Sequence, residues 1–160
     1  MRRALRCLAV IAAADYVIKF HPPRWHAIAL FDHPAHVATA ILLGGTDPVY
    51  LAGSLAPDID HIPAALGAPK VGDPRPKTHS LLVVGATALF NRKLAAGTAA
   101  HFLRDLAMDP GVSLFWPLTK RRFRVPYCAY AVILLAAAYS RSRPCRAAPA
   151  HIPGASGRGP

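Results

Sequence analysis

Apolar residues along this chain gather in short runs, broken by proline, glycine and histidine–aspartate pairs, and the runs read as helices rather than strands. Residues 2–14 (RRALRCLAVIAAA) combine a basic start with a short apolar stretch. They predict an amphipathic or partly inserted first helix, with a cleaved signal as the alternative. His21-Pro22-Pro23-Arg24 breaks it. Residues 34–45 predict a second helix, with Pro34 in its first turn and Gly44-Gly45 at its end. Asp47-Pro48 opens a segment running through Leu55, and Pro57 and Pro63 bracket Asp58-Ile59-Asp60-His61. Residues 64–77, with three prolines and two glycines, read as a solvent-facing loop. The apolar run Leu81 to Phe90 predicts a helix capped by Thr78 or Ser80. Residues 94–108 predict another, ending near Asp109 because the residue before a proline disfavours the helical region. Residues 125–139 carry no charge and lie between basic flanks. Tyr127, Tyr130 and Tyr139 suit interface anchors, so this is the segment predicted to span a membrane.

The predicted fold is all-α: a membrane-associated bundle of five or six helices, with metal ligands converging from helix ends and from one helix face. Its expected organisation is an N-terminal helix or extension (1–30), a helical domain (31–139) and a disordered basic tail (140–160).

Composition supports the membrane. Charged residues make up 17% of the chain, against about 25% in soluble domains, and hydrophobic residues 53%. The net charge is +11, and basic clusters such as Arg2-Arg3-Arg6 and Lys120-Arg121-Arg122-Arg124 adjoin apolar runs, as expected at anionic lipid headgroups. Membrane lipid is therefore an expected partner. Nucleic acid is not, because no nucleic-acid fold motif accompanies the clusters. The three cysteines, Cys7, Cys128 and Cys145, are widely spaced without a CxxC, which argues against a disulfide framework or a thiolate zinc site.

The chemistry lies elsewhere. All eight acidic residues are Asp, so any carboxylate ligand or general base is an aspartate. Five histidines (His33, His36, His61, His79 and His101) interleave with Asp32, Asp58, Asp60 and Asp105. Imidazole and carboxylate are the usual ligands of zinc, manganese and iron. His101 and Asp105, four apart, share a helix face, with Gly97 one turn earlier, where a missing side chain lets another backbone or an ion come close. Asp58, Asp60 and His61 crowd a proline-bracketed turn after an apolar stretch, where unpaired charge is costly to bury. His79 stands at the mouth of an apolar helix, and His36 in the first turn of another. His33 reads as a surface histidine. Polar groups recurring at the ends of apolar segments are reconciled by a shared cation: a divalent metal, zinc by preference, as one or two ions.

At these residues the chain resembles the bacterial inner-membrane metal-dependent hydrolase family, itself similar in motif to zinc-dependent phospholipase C and P1 nuclease. The matching stretches are AHVATAILLGG (35–45), AGSLAPDIDHIP (52–63), RPKTHSLL (75–82) and GTAAHFLRDLAMDPGVSLFWPL (97–118). The resemblance implies His36, Asp60, His79, His101 and Asp105 as metal ligands, with Asp58 and His61 as ligands or their neighbours. It implies a membrane-bound hydrolase cleaving a phosphoester through a metal-activated water. In that reading Asp58 and Asp60 accept a proton or bridge ions, and Arg104, Lys77 and Arg75 meet phosphate oxygens. The chain departs from the pattern in two ways. Pro74-Arg75-Pro76 stands where the family often shows His-Arg-Gly, and there is no Glu for the later ligands of phospholipase C. The alternative is a membrane protein whose metal is structural, without turnover.

Overall fold

Helical periodicity in the apolar residues sets how the chain packs. The computed structural model describes residues 1–62, 66 and 78–142, apart from the side chains of Trp25, His26 and Asp60. The described helices, in order, are α1 (Arg2–Phe20), α2 (Trp25–Gly44), α3 (Pro48–Gly53), a 3-10 helix (Ala56–His61), α4 (Leu81–Phe90), α5 (Arg92–Ala107) and α6 (Tyr127–Ser142). The expected all-α fold is what forms. Among the described residues, β pairing is confined to one isolated bridge, Val112 to Phe123, in the connection between α5 and α6.

Ala4, Cys7, Ile11 and Ala14 recur at helical spacing and bury one face of α1. That face packs on Ala35, Ala38 and Leu42 of α2 and on Tyr130, Leu134 and Ala138 of α6. The Tyr130 hydroxyl is satisfied inside this core by Thr39 at 2.7 Å. Arg141 of α6 donates Nε to the Leu42 carbonyl (2.6 Å) and an Nη to the Leu43 carbonyl (2.9 Å), serving the last turn of α2. α3 is opened by Asp47, whose carboxylate accepts from the Val49 and Tyr50 amides, and α5 by Asn91, which accepts from Lys93 and Leu94.

Three expectations change. α2 starts at Trp25, not at 34, so Pro34 lies inside the helix. Proline removes one intrahelical hydrogen bond and crowds the preceding turn, and the helix nevertheless continues, with Ala35 and Ala38 packed in the core. The boundary expected near residue 30 therefore falls within α2. The helix with the length and composition of a membrane span also differs from the one expected. α6 has 16 residues and buries Tyr130, Leu134 and Ala138 in the core, short of the roughly 20 residues a span requires. Among the described residues, the one helix long and apolar enough to cross a membrane is α2, over Ala27–Gly44. Finally, Ser80 holds the N-cap position of α4 without a side-chain cap bond, and Thr78 is used elsewhere. α4 itself buries none of its residues, and Leu89 and Phe90 are almost fully exposed. The loop expected over 64–77, Leu66 aside, and the tail beyond Ser142 lie outside the described residues.

Candidate metal centre

Two helices, the 3-10 turn and the segment before α4 bring histidine and aspartate together. On α2, Asp32 and His36 are four apart and share a face; on α5, His101 and Asp105 do the same. In the 3-10 turn a repeat of three residues places Asp58 and His61 on one side. His79 enters from the segment before α4.

α5 reaches the cluster because its glycine lets it. Gly97 packs on the backbone of α3 at Tyr50 and Ser54, and Gly53 of α3 packs on the backbone of α5 at Leu94. The close crossing expected at Gly97 is thus a backbone contact. It sets the Ser54 carbonyl 2.8 Å from His101 Nδ1.

That contact fixes a tautomer. A carbonyl only accepts, so Nδ1 of His101 carries the hydrogen. A parallel arrangement holds His79. The Thr78 hydroxyl donates to the Pro57 carbonyl (2.9 Å), so its oxygen accepts from His79 Nδ1 at 3.1 Å. Nε2 of each ring then points into the cluster, and the two Nε2 atoms stand 3.3 Å apart. Metal-binding histidines are held in this way, by a partner on the other ring nitrogen.

The carboxylates close the cluster. Asp105 lies 3.1 Å from His101 Nε2, 3.3 Å from His79 Nε2 and 3.6 Å from His36 Nε2. Asp58 lies 3.6 Å from both His79 and His101, 3.9 Å from His61 and, by its other oxygen, 3.2 Å from His33. Most of these separations are long for direct hydrogen bonds. They lie on either side of the edge of a tetrahedron of ligands about 2.0–2.1 Å from a common ion, which is about 3.3–3.5 Å. His36, His79, His101 and Asp105 are buried almost completely, and neither ring nitrogen of His36 makes a hydrogen bond. Four overlapping groups of three donors lie within ion-binding reach: His36, Asp58 and His101; Asp58, His61 and His79; His79, His101 and Asp105; and Asp32, His36 and Asp105.

Behind the cluster sits Arg104, fully buried, with Nη1 2.7 Å from Asp15 of α1 and Nη2 2.9 Å from Asp32. Asp15 also accepts from the Tyr127 hydroxyl at 2.6 Å. Burial pushes the Arg104 guanidinium down, but the Asp32 and Asp15 carboxylates outweigh it and hold the charge firmly. Burial pushes the Asp58 carboxyl up, and the surrounding imidazoles, His33 and His79 first, more than offset it, so the group is held far below the usual carboxylate range. His101 follows the same balance with the opposite sign: burial lowers it, and Asp105 and Asp58 raise it above the ordinary imidazole value.

Asp15, Asp32, Asp58 and Asp105 carry four negative charges against the single guanidinium of Arg104, which leaves three in excess if the imidazoles are neutral. Protonating the histidines would balance the sum. However, His36 and His101 stack with centroids 3.8 Å apart and planes 8° from parallel, an arrangement that two imidazolium cations oppose. The donor set and its charge fit divalent ions.

The expected residues His36, Asp58, His61, His79, His101 and Asp105 meet here. The side chain of Asp60, and Lys77 and Arg75, lie outside the described residues. Arg104 does not face open space: it is enclosed between Asp15 and Asp32, so the phosphate contact expected of it gives way to an internal one. Sequence reasoning left Asp32, Asp15 and His33 unassigned. For Asp32 a signal existed, the four-residue spacing to His36 that mirrors His101 and Asp105. It was hidden by starting the helix at Pro34. The cluster opens on one side into a cavity of about 1080 Å³ that Asp32, His33, Asp58, His61 and Asp105 help to line.

An all-helical protein with a buried imidazole–carboxylate cluster and, among the described residues, one helix long and apolar enough to cross a membrane is the class that this fold and site define. A model of the family described as YdjM inner membrane protein matches residues 7–154, nearly the whole chain, and the chain belongs to that family. It is accordingly a bacterial inner-membrane protein. No curated protein and no solved structure matches it significantly.

Proposed function

We propose that the chain is a membrane-bound, metal-dependent hydrolase that cleaves a phosphoester. The observation that carries this reading is the pair His79 and His101, whose Nε2 atoms face each other at 3.3 Å between two aspartates. A divalent ion, zinc by its donors, supplies there a water of pKa near 7 and a Lewis acid for a phosphoryl oxygen. His36, His79, His101 and Asp105 form the buried holding set. Asp58 reaches His33, His61, His79 and His101 while lining the cavity, which suits it to bridge two ions or to orient water. Asp60, adjacent to His61 in the 3-10 turn, is a further candidate ligand or base. Arg75 and Lys77 keep the phosphate-binding role, and Arg104 holds Asp32 in place. The relation to phospholipase C and P1 nuclease belongs to this proposal and rests on the matching motifs.

The near-complete burial of the holding set favours a second reading, a closed structural metal site with no turnover. The cavity reaching Asp58 and Asp105 favours catalysis. The test is turnover of 4-nitrophenyl phosphate and bis(4-nitrophenyl) phosphate by zinc-loaded, detergent-purified protein. Chelator-sensitive hydrolysis of either supports the hydrolase. Bound zinc with no turnover on either supports the structural reading.

A further inference from the structure

The cavity is asymmetric in its chemistry. One end is polar, where Asp58, His61 and Asp105 belong to the cluster. Beyond it the lining is mostly apolar, with Ala12 and Tyr16 of α1, Ile28 and Ala29 of α2, and Met108 and Val125 beyond α5, interrupted by Asp15, Lys19, Asp109 and Arg124. Its volume of about 1080 Å³ lies at the upper end of the roughly 300–1,000 Å³ of small-molecule sites, well beyond what a bare phosphate needs. The apolar wall runs between the two N-terminal helices, and Tyr16 and Phe20 at its edge are more than half exposed. In an inner-membrane protein, a polar site continuous with an apolar channel suits a molecule with the same division.

Charge adds an order of events. Asp15, Asp32, Asp58, Asp105 and Asp109 line this cavity against Lys19 and Arg124, and Arg124 is already paired with Asp109 at 2.7 Å. Carboxylates in this excess repel an anionic headgroup until cations neutralise them.

We propose that the phosphoester taken by this site carries a long hydrocarbon chain, with its phosphate at the Asp58–Asp105 end of the cavity and its chain along the apolar wall between α1 and α2. The inference rests on the metal-dependent reading above and names its substrate class. Headgroup binding requires the ions, whereas chain binding requires the groove, so the two separate experimentally.

The test uses full-length protein in amphipol, loaded with zinc, and a fluorescently labelled long-chain alkyl phosphate as probe. Hexadecyl phosphate and ethyl phosphate compete for it; they share a headgroup and differ only in chain. Hexadecyl phosphate is expected to displace the probe at a concentration at least a hundredfold lower. Ala29→Trp fills the groove and is expected to abolish that preference while bound zinc, measured by elemental analysis, stays unchanged. Ala12→Trp, at an exposed position of α1, serves the same purpose should the first variant misfold. Equal displacement by both phosphates in zinc-loaded wild type, or a preference untouched by both tryptophans, overturns the proposal and leaves the metal reading standing. A chain-length preference that is lost in the tryptophan variants, in a protein that binds no zinc, overturns the metal reading and with it the headgroup half of the proposal.

Discussion

Gly97 of α5 lies directly against the backbone of Tyr50 in α3, so close that a Cβ would overlap the Tyr50 carbonyl oxygen and come within 2.9 Å of the Ser54 amide nitrogen. The neighbours are backbone and cannot swing aside. In an open helix, Gly→Ala stabilises by about 0.5–1 kcal/mol. Here the sign reverses. Gly97→Ala is expected to destabilise the protein by about 1–3 kcal/mol, read as a lower thermal midpoint. It should also weaken zinc binding, because Ser54, whose carbonyl orients His101, moves with α3.

Thr78 acts at one remove from the cluster. Its hydroxyl takes the His79 Nδ1 hydrogen and passes its own to Pro57. Thr78→Val keeps the shape and removes the relay. Zinc affinity, measured by competition with a chromophoric chelator, is expected to fall about 10–100-fold. Thr78→Ser restores the hydroxyl and should recover most of the loss.

Much of this centre was legible in the chain before any coordinates. His101 and Asp105 share a face by helical arithmetic alone. The crowding of Asp58 and His61 between two prolines marks a tight turn that needs a cation or water. Three things were not legible. Proline within a helix is read as a helix start, because local sterics favour that; burial of Ala35 and Ala38 overrides the local preference, and only tertiary packing reveals it. Lacking those nine residues of α2 (25–33), the sequence gives no reason to pair Asp32 with His36, or to place His33 against Asp58. Arg104 failed for a related reason. An arginine one turn from ligands resembles a phosphate clamp, and its actual partner Asp15 lies far away in sequence, on α1. The helix of membrane-crossing length and composition was not legible either, because 125–139 is uncharged, whereas α2 carries Asp32, His33 and His36 within an otherwise apolar length.

Arg104, Asp15 and Asp32 form a buried charge set, and removing one member leaves the others uncompensated. Asp15→Asn and Arg104→Met are each expected to cost about 3–5 kcal/mol, seen as reduced thermal stability in detergent. Arg104→Lys should not rescue, because one ammonium cannot present a planar fork to two carboxylates on different helices. If Arg104→Lys matches wild type in stability, the bridging geometry is not what matters.

The central claim is that imidazoles and carboxylates from α2, the 3-10 turn, the segment before α4 and α5 enclose a metal. Elemental analysis of the protein, purified in detergent without added chelator, tests it most directly. One or two equivalents of zinc per chain are expected, falling below half of the wild-type value in His101→Ala and Asp105→Ala variants that remain folded by circular dichroism. Wild-type protein that is folded, offered zinc and still free of any divalent metal would contradict the account.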